Sequence, residues 1–254
     1  MKNTVYRFPV PLRIALLADL HDKPFGEIAS SLSEHKPDII CVAGDTVHHV
    51  RPDGDEPVIL RTANVLPFFR ACAAAAPTFV SLGNHDWRLD SRDLDLISGT
   101  GVTLLDNCWC SHKGVLIGGL SSASFTAYKA FRKTKPEPYP DWSGGVHSGS
   151  TAPDTSWLED FCRQEGCKLL LCHHPEYRDR YLSGLPIDLV LSGHAHGGQI
   201  RLFGRGLYAP GQGILPKYTS GIHGNMLISR GLANTGGIIP RLFNRREIVY
   251  IEPG

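Results

Sequence analysis

Arg13-Ile14-Ala15-Leu16-Leu17-Ala18-Asp19-Leu20-His21 is an apolar run that ends on an acid and a histidine. It reads as a buried strand that delivers polar side chains at its end, and its eight residues from Arg13 to Leu20 are too few to cross a bilayer. The same pattern returns four times. Apolar residues 38–43 precede Gly44-Asp45, and 77–82 precede Gly83-Asn84-His85-Asp86; 168–172 precede His173-His174, and 187–192 precede Gly193-His194-Ala195-His196. Between them lie helical spacings: Phe25, Ile28, Ala29 and Leu32, then a stretch from Val58 to Ala75 with Leu66, Phe69 and Cys72. Alternation of strand and helix predicts an α/β fold. After Gly101 the spacing shortens to strands at 102–105, 108–112 and 114–120. Beyond Gly197, QIRLFG, NMLIS and EIVYIE also read as strands with Gly-rich turns, which predicts a second, partly antiparallel sheet.

The 254 residues carry 26 Lys and Arg against 25 Asp and Glu, a net charge of +1, so neither a nucleic-acid arm nor a polybasic membrane patch is expected as the main function. With 42% hydrophobic and 20% charged residues there is material for a sizeable core. One domain over residues 1–254 is expected. Seven cysteines without a CxxC pair do not form a disulfide scaffold. A reducing compartment follows, so the chain is expected in the cytoplasm, with the membrane periphery as a second location. No transmembrane segment is predicted. Residues 121–153, with Lys135-Pro136-Glu137-Pro138-Tyr139-Pro140 and Ser143-Gly144-Gly145, lack periodicity and are expected to form a long surface loop. Such a loop either covers a substrate site or is a solvated excursion.

The five strand-end segments concentrate carboxylates, imidazoles and an amide. Mixed oxygen and nitrogen shells of this kind suit Mn, Fe or Zn, whereas the cysteines offer no thiolate cage. In Asp-x-His and His-x-His the two side chains share a face if the segment is extended, so each pair is expected to grip one ion. Taken singly these segments are common turns; their order is distinctive. The sequence resembles the calcineurin-like metallophosphoesterases across all five blocks. The Gly-His-x-His-Gly-Gly-Gln block at 193–199, Ser229-Arg230-Gly231-Leu232 and Arg241-Leu242-Phe243-Asn244 resemble its bacterial phosphodiesterase subgroup, which includes UDP-2,3-diacylglucosamine pyrophosphohydrolases.

The resemblance implies a four-layer α/β/β/α sandwich of two mixed sheets with flanking helices, and a centre of two divalent metal ions. Asp19, His21 and His196 would hold the first metal, Asn84, His173 and His194 the second, and Asp45 would bridge them. Two ions roughly 3.5–4 Å apart share a hydroxide that attacks phosphorus in line with the leaving oxygen. His85 would serve the leaving oxygen, and Asp86 would orient its imidazole, a role compatible with its also holding the loop as a turn residue. The expected activity is phosphodiester or pyrophosphate hydrolysis on a phosphate-ester small molecule or a lipid-linked substrate.

Other residues receive weaker assignments. His174 follows His173 directly and faces the other way in an extended segment, so one of the two is a ligand, and the family pattern with Pro175 favours His173. His48 and His49, just after Gly44-Asp45, read as exposed loop histidines, with substrate contact as the alternative, and His223 is left without a ligand partner. Arg230 and Arg241 are weak candidates for a second phosphate contact. Cys41 and Cys172 read as buried structural thiols. The Rossmann, P-loop and serine-hydrolase motifs do not occur. The rival of another class is a non-catalytic protein-binding module on the same scaffold.

Overall fold

The computed structural model describes residues 1–48, 56–86, 89–122, 153–210, 212–233 and 239–254. Most of the loop expected at 121–153 lies outside these, as does His49.

The first sheet contains β1 (Lys2–Phe8), β2 (Ile14–Leu17), β3 (Ile39–Ala43), β4 (Thr78–Ser81), β5 (Thr103–Leu104) and the late strand β16 (Glu247–Pro253), in the order β1-β16-β2-β3-β4-β5. The second contains β6 (Cys108–His112), β7 (Val115–Leu120), β8 (Cys167–Cys172), β9 (Leu189–Ser192), β14 (Gly221–His223) and β15 (Met226–Ile228), in the order β14-β15-β9-β8-β7-β6. Two small hairpins lie between β9 and β14: β10 (Arg201–Leu202) with β11 (Arg205–Gly206), and β12 (Tyr208–Ala209) with β13 (Gly213–Ile214). Both large sheets are mixed: β2, β3 and β4 run parallel but β16 is antiparallel to β2, and β7, β8 and β9 run parallel while β6 and β14 reverse.

The alternation of side chains along each strand builds three apolar layers. Ile14, Leu16, Ile39 and Cys41 from the first sheet meet Ile117, Leu169, Leu171 and Leu191 from the second. The opposite face of the first sheet, with Ala15, Leu17, Ile40 and Val42, packs on α1 (Gly26–His35), α2 (Val65–Ala75) and α3 (Ser91–Ser98). The outer face of the second, with Leu170 and Val190, packs on Leu158 and Phe161 of α4 (Leu158–Arg163). The result is the four-layer α/β/β/α sandwich expected.

Two readings of local structure need correction. The single helical stretch expected from Val58 to Ala75 is broken: a short 3-10 turn (Val58–Arg61) precedes α2, and the Asp22 carboxylate accepts hydrogen bonds from the N–H groups of Ala63 and Asn64 in the gap. QIRLFG is a hairpin limb and its turn, not one strand, because Phe203 and Gly204 have φ of 49° and 81° and reverse the chain. Among the described residues, no helix is long and apolar enough to cross a membrane.

Strands β2, β3, β4, β8 and β9 end at the same edge of the sandwich, where the polar segments follow. Replacing Leu171, fully buried between the sheets, by Ala is expected to cost about 2–5 kcal/mol, as read from a urea unfolding curve.

Candidate metal centre

The site is built from turns in the left-handed region of backbone space. Asp19, His21, Asp45, His194 and His196 have φ of 58°, 48°, 55°, 64° and 46°. The side chains of Asp-x-His and His-x-His therefore converge because the backbone coils past the strand end. The extended geometry expected from the sequence does not occur there. Such backbone is unfavourable for residues with a Cβ and is held by its surroundings. The Asp19 N–H donates to Gly44 O and the His21 N–H to Asp45 O, while Asp19 Oδ1 accepts from the His194 N–H at 3.1 Å. The loops thus tie one sheet to the other.

Two glycines permit this approach. A Cβ on Gly83 would lie 2.2 Å from Asp45 Oδ1, and one on Gly193 would lie 2.6 Å from Ala18 Cβ and 2.9 Å from Asp19 Oδ2. The glycines of GNHD and GHAH therefore make room for the carboxylates.

Asp19, His21, Asp45, Asn84, His173, His194 and His196 are all buried. His21 Nε2 lies 3.8 Å from Asp45 Oδ2 and 3.4 Å from His196 Nε2; His196 Nε2 lies 3.5 Å from Asp19 Oδ1, and His173 Nε2 lies 3.2 Å from Asp45 Oδ2. One ligand atom each from Asp19, His21 and His196 falls within a 4.8 Å cluster, and so does one each from Asp45, His173 and His194. The amide Oδ1 of Asn84 and Oδ2 of Asp19 are buried and, among the described residues, accept no hydrogen bond. Buried acceptors of this kind, packed with imidazole nitrogens, match the donor set that a divalent cation takes.

His173 and His174 separate as the strand geometry requires. His173 Nδ1 donates to Ala43 O at 2.6 Å, which turns Nε2 toward Asp45, whereas His174 Nδ1 meets Ser122 Oγ at 2.5 Å. Burial works against the charged imidazolium of His173, but the carboxylates of Asp45 and Asp19 outweigh it and raise its pKa to about 10. Burial, aided by the nearby Asp45 charge, lifts Asp19 to about 7 against the opposing pull of His173. Burial lowers His21 and His194. Asp45 itself is held well below the carboxylate range: burial opposes its charge, but His173 and His85 outweigh that.

His85 sits at the mouth, half-buried, with Nε2 3.9 Å from Asp45 Oδ2 and its N–H donating to Asp45 Oδ1 at 2.7 Å. Asp86 has the surroundings of the turn-holding residue. Its oxygens accept from the N–H groups of Asp45, Thr46, Val47 and Gly83, and from Thr46 Oγ1, at 2.7–3.1 Å. It is the turn-holding residue of the two loops that carry Asp45 and Asn84.

His48 departs from the exposed position expected of it. It is half-buried, and its ring lies 5.6 Å from that of His21 and 5.9 Å from that of His85. His223 instead lies on edge strand β14, against Tyr218. Arg241 donates to the carbonyls of Asn244, Ala233, Arg230 and Arg245, and burial lowers its pKa to about 10. These bonds make it a clip for the tail loop. Arg230 lies 3.8 Å from Glu247. Cys41 and Cys172 are buried, and burial raises both thiols.

Two neighbours of the site were not singled out from the sequence. Asn244 Nδ2 donates to His196 O at 2.7 Å and to Gln199 O at 3.0 Å, fixing the turn that carries His196. Glu176 Oε1 lies 3.7 Å from His194 Nε2. Asn244 had only its place in the tail block as a signal, and Glu176 only its place after His173-His174-Pro175.

The calcineurin-like phosphoesterase family model matches residues 12–198. The chain belongs to that family, a class of metal-dependent phosphoesterases. It is 27% identical to the phosphodiesterase YaeI of Escherichia coli over 95% of this chain and 82% of that protein. It is also 26% identical to an uncharacterized metallophosphoesterase, Cj0846, of Campylobacter jejuni, and 26% identical to a zebrafish transmembrane protein with a metallophosphoesterase domain. Each of these two matches covers 74% of this chain but under half of the relative, 45% and 41%.

Replacing Asp86 by Ala strands four buried N–H groups and is expected to destabilise the protein by about 3 kcal/mol or more, measured by thermal melting. A shift of the pH–rate profile with stability unchanged would instead return Asp86 to the His85 imidazole.

Proposed function

We propose that the chain hydrolyses phosphodiester or pyrophosphate bonds at a centre of two divalent cations. Asp19, His21 and His196 hold the first cation, Asn84, His173 and His194 hold the second, and Asp45 joins the two. The observation that carries this reading is the pair of ligand clusters, Asp19/His21/His196 and Asp45/His173/His194, packed around two buried carboxylates. Asp45 is suited to the shared position because a carboxylate has an oxygen for each of two ions. Two cations held there supply Lewis acidity for the phosphoryl oxygens and an activated water as nucleophile, with Mn, Fe or Zn all compatible with the donor set.

The residues divide the remaining work. Ala43 O fixes the tautomer of His173 so that Nε2 faces inward. His85, more open to solvent than the ligands, faces the leaving oxygen and supplies it with a proton or a positive neighbour. Asp86 keeps the Asp45 and Asn84 loops in register. Charge collected in so buried a place acts with little screening.

Elemental analysis is expected to find about two metal ions per chain. Hydrolysis of bis(p-nitrophenyl) phosphate should depend on added Mn and fall at least about 100-fold in Asp45→Asn and Asn84→Ala, with melting temperatures close to the parent. Absence of both metal and turnover after reconstitution would favour the protein-binding scaffold. Because Asp45 holds His173 protonated, cation binding at pH 8 should release about one proton from this group. Titration calorimetry in buffers of different ionisation enthalpy reads that release, and affinity should climb with pH until His173 loses its proton near pH 10.

A further inference from the structure

Six of the large apolar side chains exposed among the described residues fall in two short segments: Leu202, Phe203, Ile214 and Leu215 in one, Leu242 and Phe243 in the other. Backbone pairing brings these segments together. Ile200 bridges Leu242, the Arg201 N–H donates to Leu242 O, and the Leu215 N–H donates to Leu207 O. Singly exposed apolar residues need no explanation, but a connected group on one edge does.

The backbone makes the group more unusual. Phe203 is 103% exposed, Phe243 82% and Leu215 71%, and their φ angles are 49°, 54° and 53°. Phe203 and Gly204 are the two central residues of the β10–β11 hairpin, both at positive φ, where Asn-Gly is the favoured pair. A bulky apolar residue at each of these points opposes both solvation and local backbone preference. Folding gains nothing from them there, which points to a use in binding.

Charge indicates what they bind. Segments 200–217 and 239–246 contain Arg201, Arg205, Lys217, Arg241, Arg245 and Arg246, and no Asp or Glu. Lys217 pairs with Asp179 at 2.6 Å and Arg246 with Glu27 at 3.8 Å. Arg205 and Arg245 are exposed, with no carboxylate in ion-pair range among the described residues. Separate apolar tips interspersed with guanidinium groups suit the boundary between lipid headgroups and acyl chains: the rings enter, and the cations stay at the phosphates.

We infer that this edge docks on an anionic lipid bilayer, inserting Phe203, Leu215 and Phe243 while Arg205 and Arg245 contact headgroup phosphates. The docking edge is joined to the metal centre. The Arg201 guanidinium donates to Gly204 O at the hairpin tip and to Gly197 O beside His196, and Asn244, next to Phe243, holds His196 O. Docking thus brings the turn that carries His196 toward the lipid surface. The inference goes beyond the phosphoesterase reading and is tested by binding without turnover.

The test is flotation of the full chain with phosphatidylglycerol–phosphatidylcholine vesicles and with pure phosphatidylcholine vesicles. Parent protein, Phe203→Asn/Phe243→Asn and Arg205→Ser/Arg245→Ser are compared, with melting temperature and sedimentation measured alongside. The parent should bind anionic vesicles, and less so in high salt. Each double variant should lose about tenfold or more in binding, while Phe203→Asn melts at or above the parent temperature because Asn suits its backbone. Failure of the parent to float with anionic vesicles would overturn the inference, as would undiminished binding by both variants. Self-association of the parent that Phe203→Asn/Phe243→Asn abolishes, without vesicle binding, would assign the edge to a second copy of the chain.

Discussion

Everything at the functional edge follows from burying two carboxylates, Asp19 and Asp45, where two sheets meet. An isolated buried carboxylate is among the costliest groups a protein can carry. Here the imidazoles of His21, His173 and His196 stand within 4 Å of one or both carboxylates. That density of donors is possible only because the turns run at positive φ and because Gly83 and Gly193 leave space for the carboxylate oxygens. The stable sandwich behind the edge tolerates this frustrated arrangement: interlocked apolar layers hold in place what local preference would relax.

The layering was legible in the sequence to an unusual degree. The apolar runs before Asp19, Gly44, Gly83, His173 and Gly193 correspond to β2, β3, β4, β8 and β9, since fully buried parallel strands read as continuous apolar stretches. Strand β1 was not read: Lys2-Asn3-Thr4-Val5-Tyr6-Arg7-Phe8 is an edge strand with largely exposed side chains, so burial left little imprint on its composition. The break between Val58 and Ala75 was hidden for a different reason. It depends on Asp22, far away in sequence, capping the N–H groups of Ala63 and Asn64.

Which residues gather at the site was legible in the same way, while the means of gathering was not. Convergence of Asp19 with His21 and of His194 with His196 was expected from extended strands, but coiled turns produce it. Residues that act through hydrogen bonds to backbone leave no spacing signature. Asp86 on the Asp45 loop and Asn244 on the His196 turn are both of this kind, and three-dimensional proximity alone discloses them.

Strand β16 lies between β1 and β2, parallel to the first over seven residue pairs from Lys2↔Glu247 to Phe8↔Pro253, and antiparallel to the second. Last in chain order among the described strands, β16 is thus an interior strand of the first sheet. Until the ribosome has released residues 247–253, β1 has no neighbour and one flank of β2 is open. Until that point the growing chain presents raw strand edges, the kind of surface that recruits chaperones or neighbouring nascent chains.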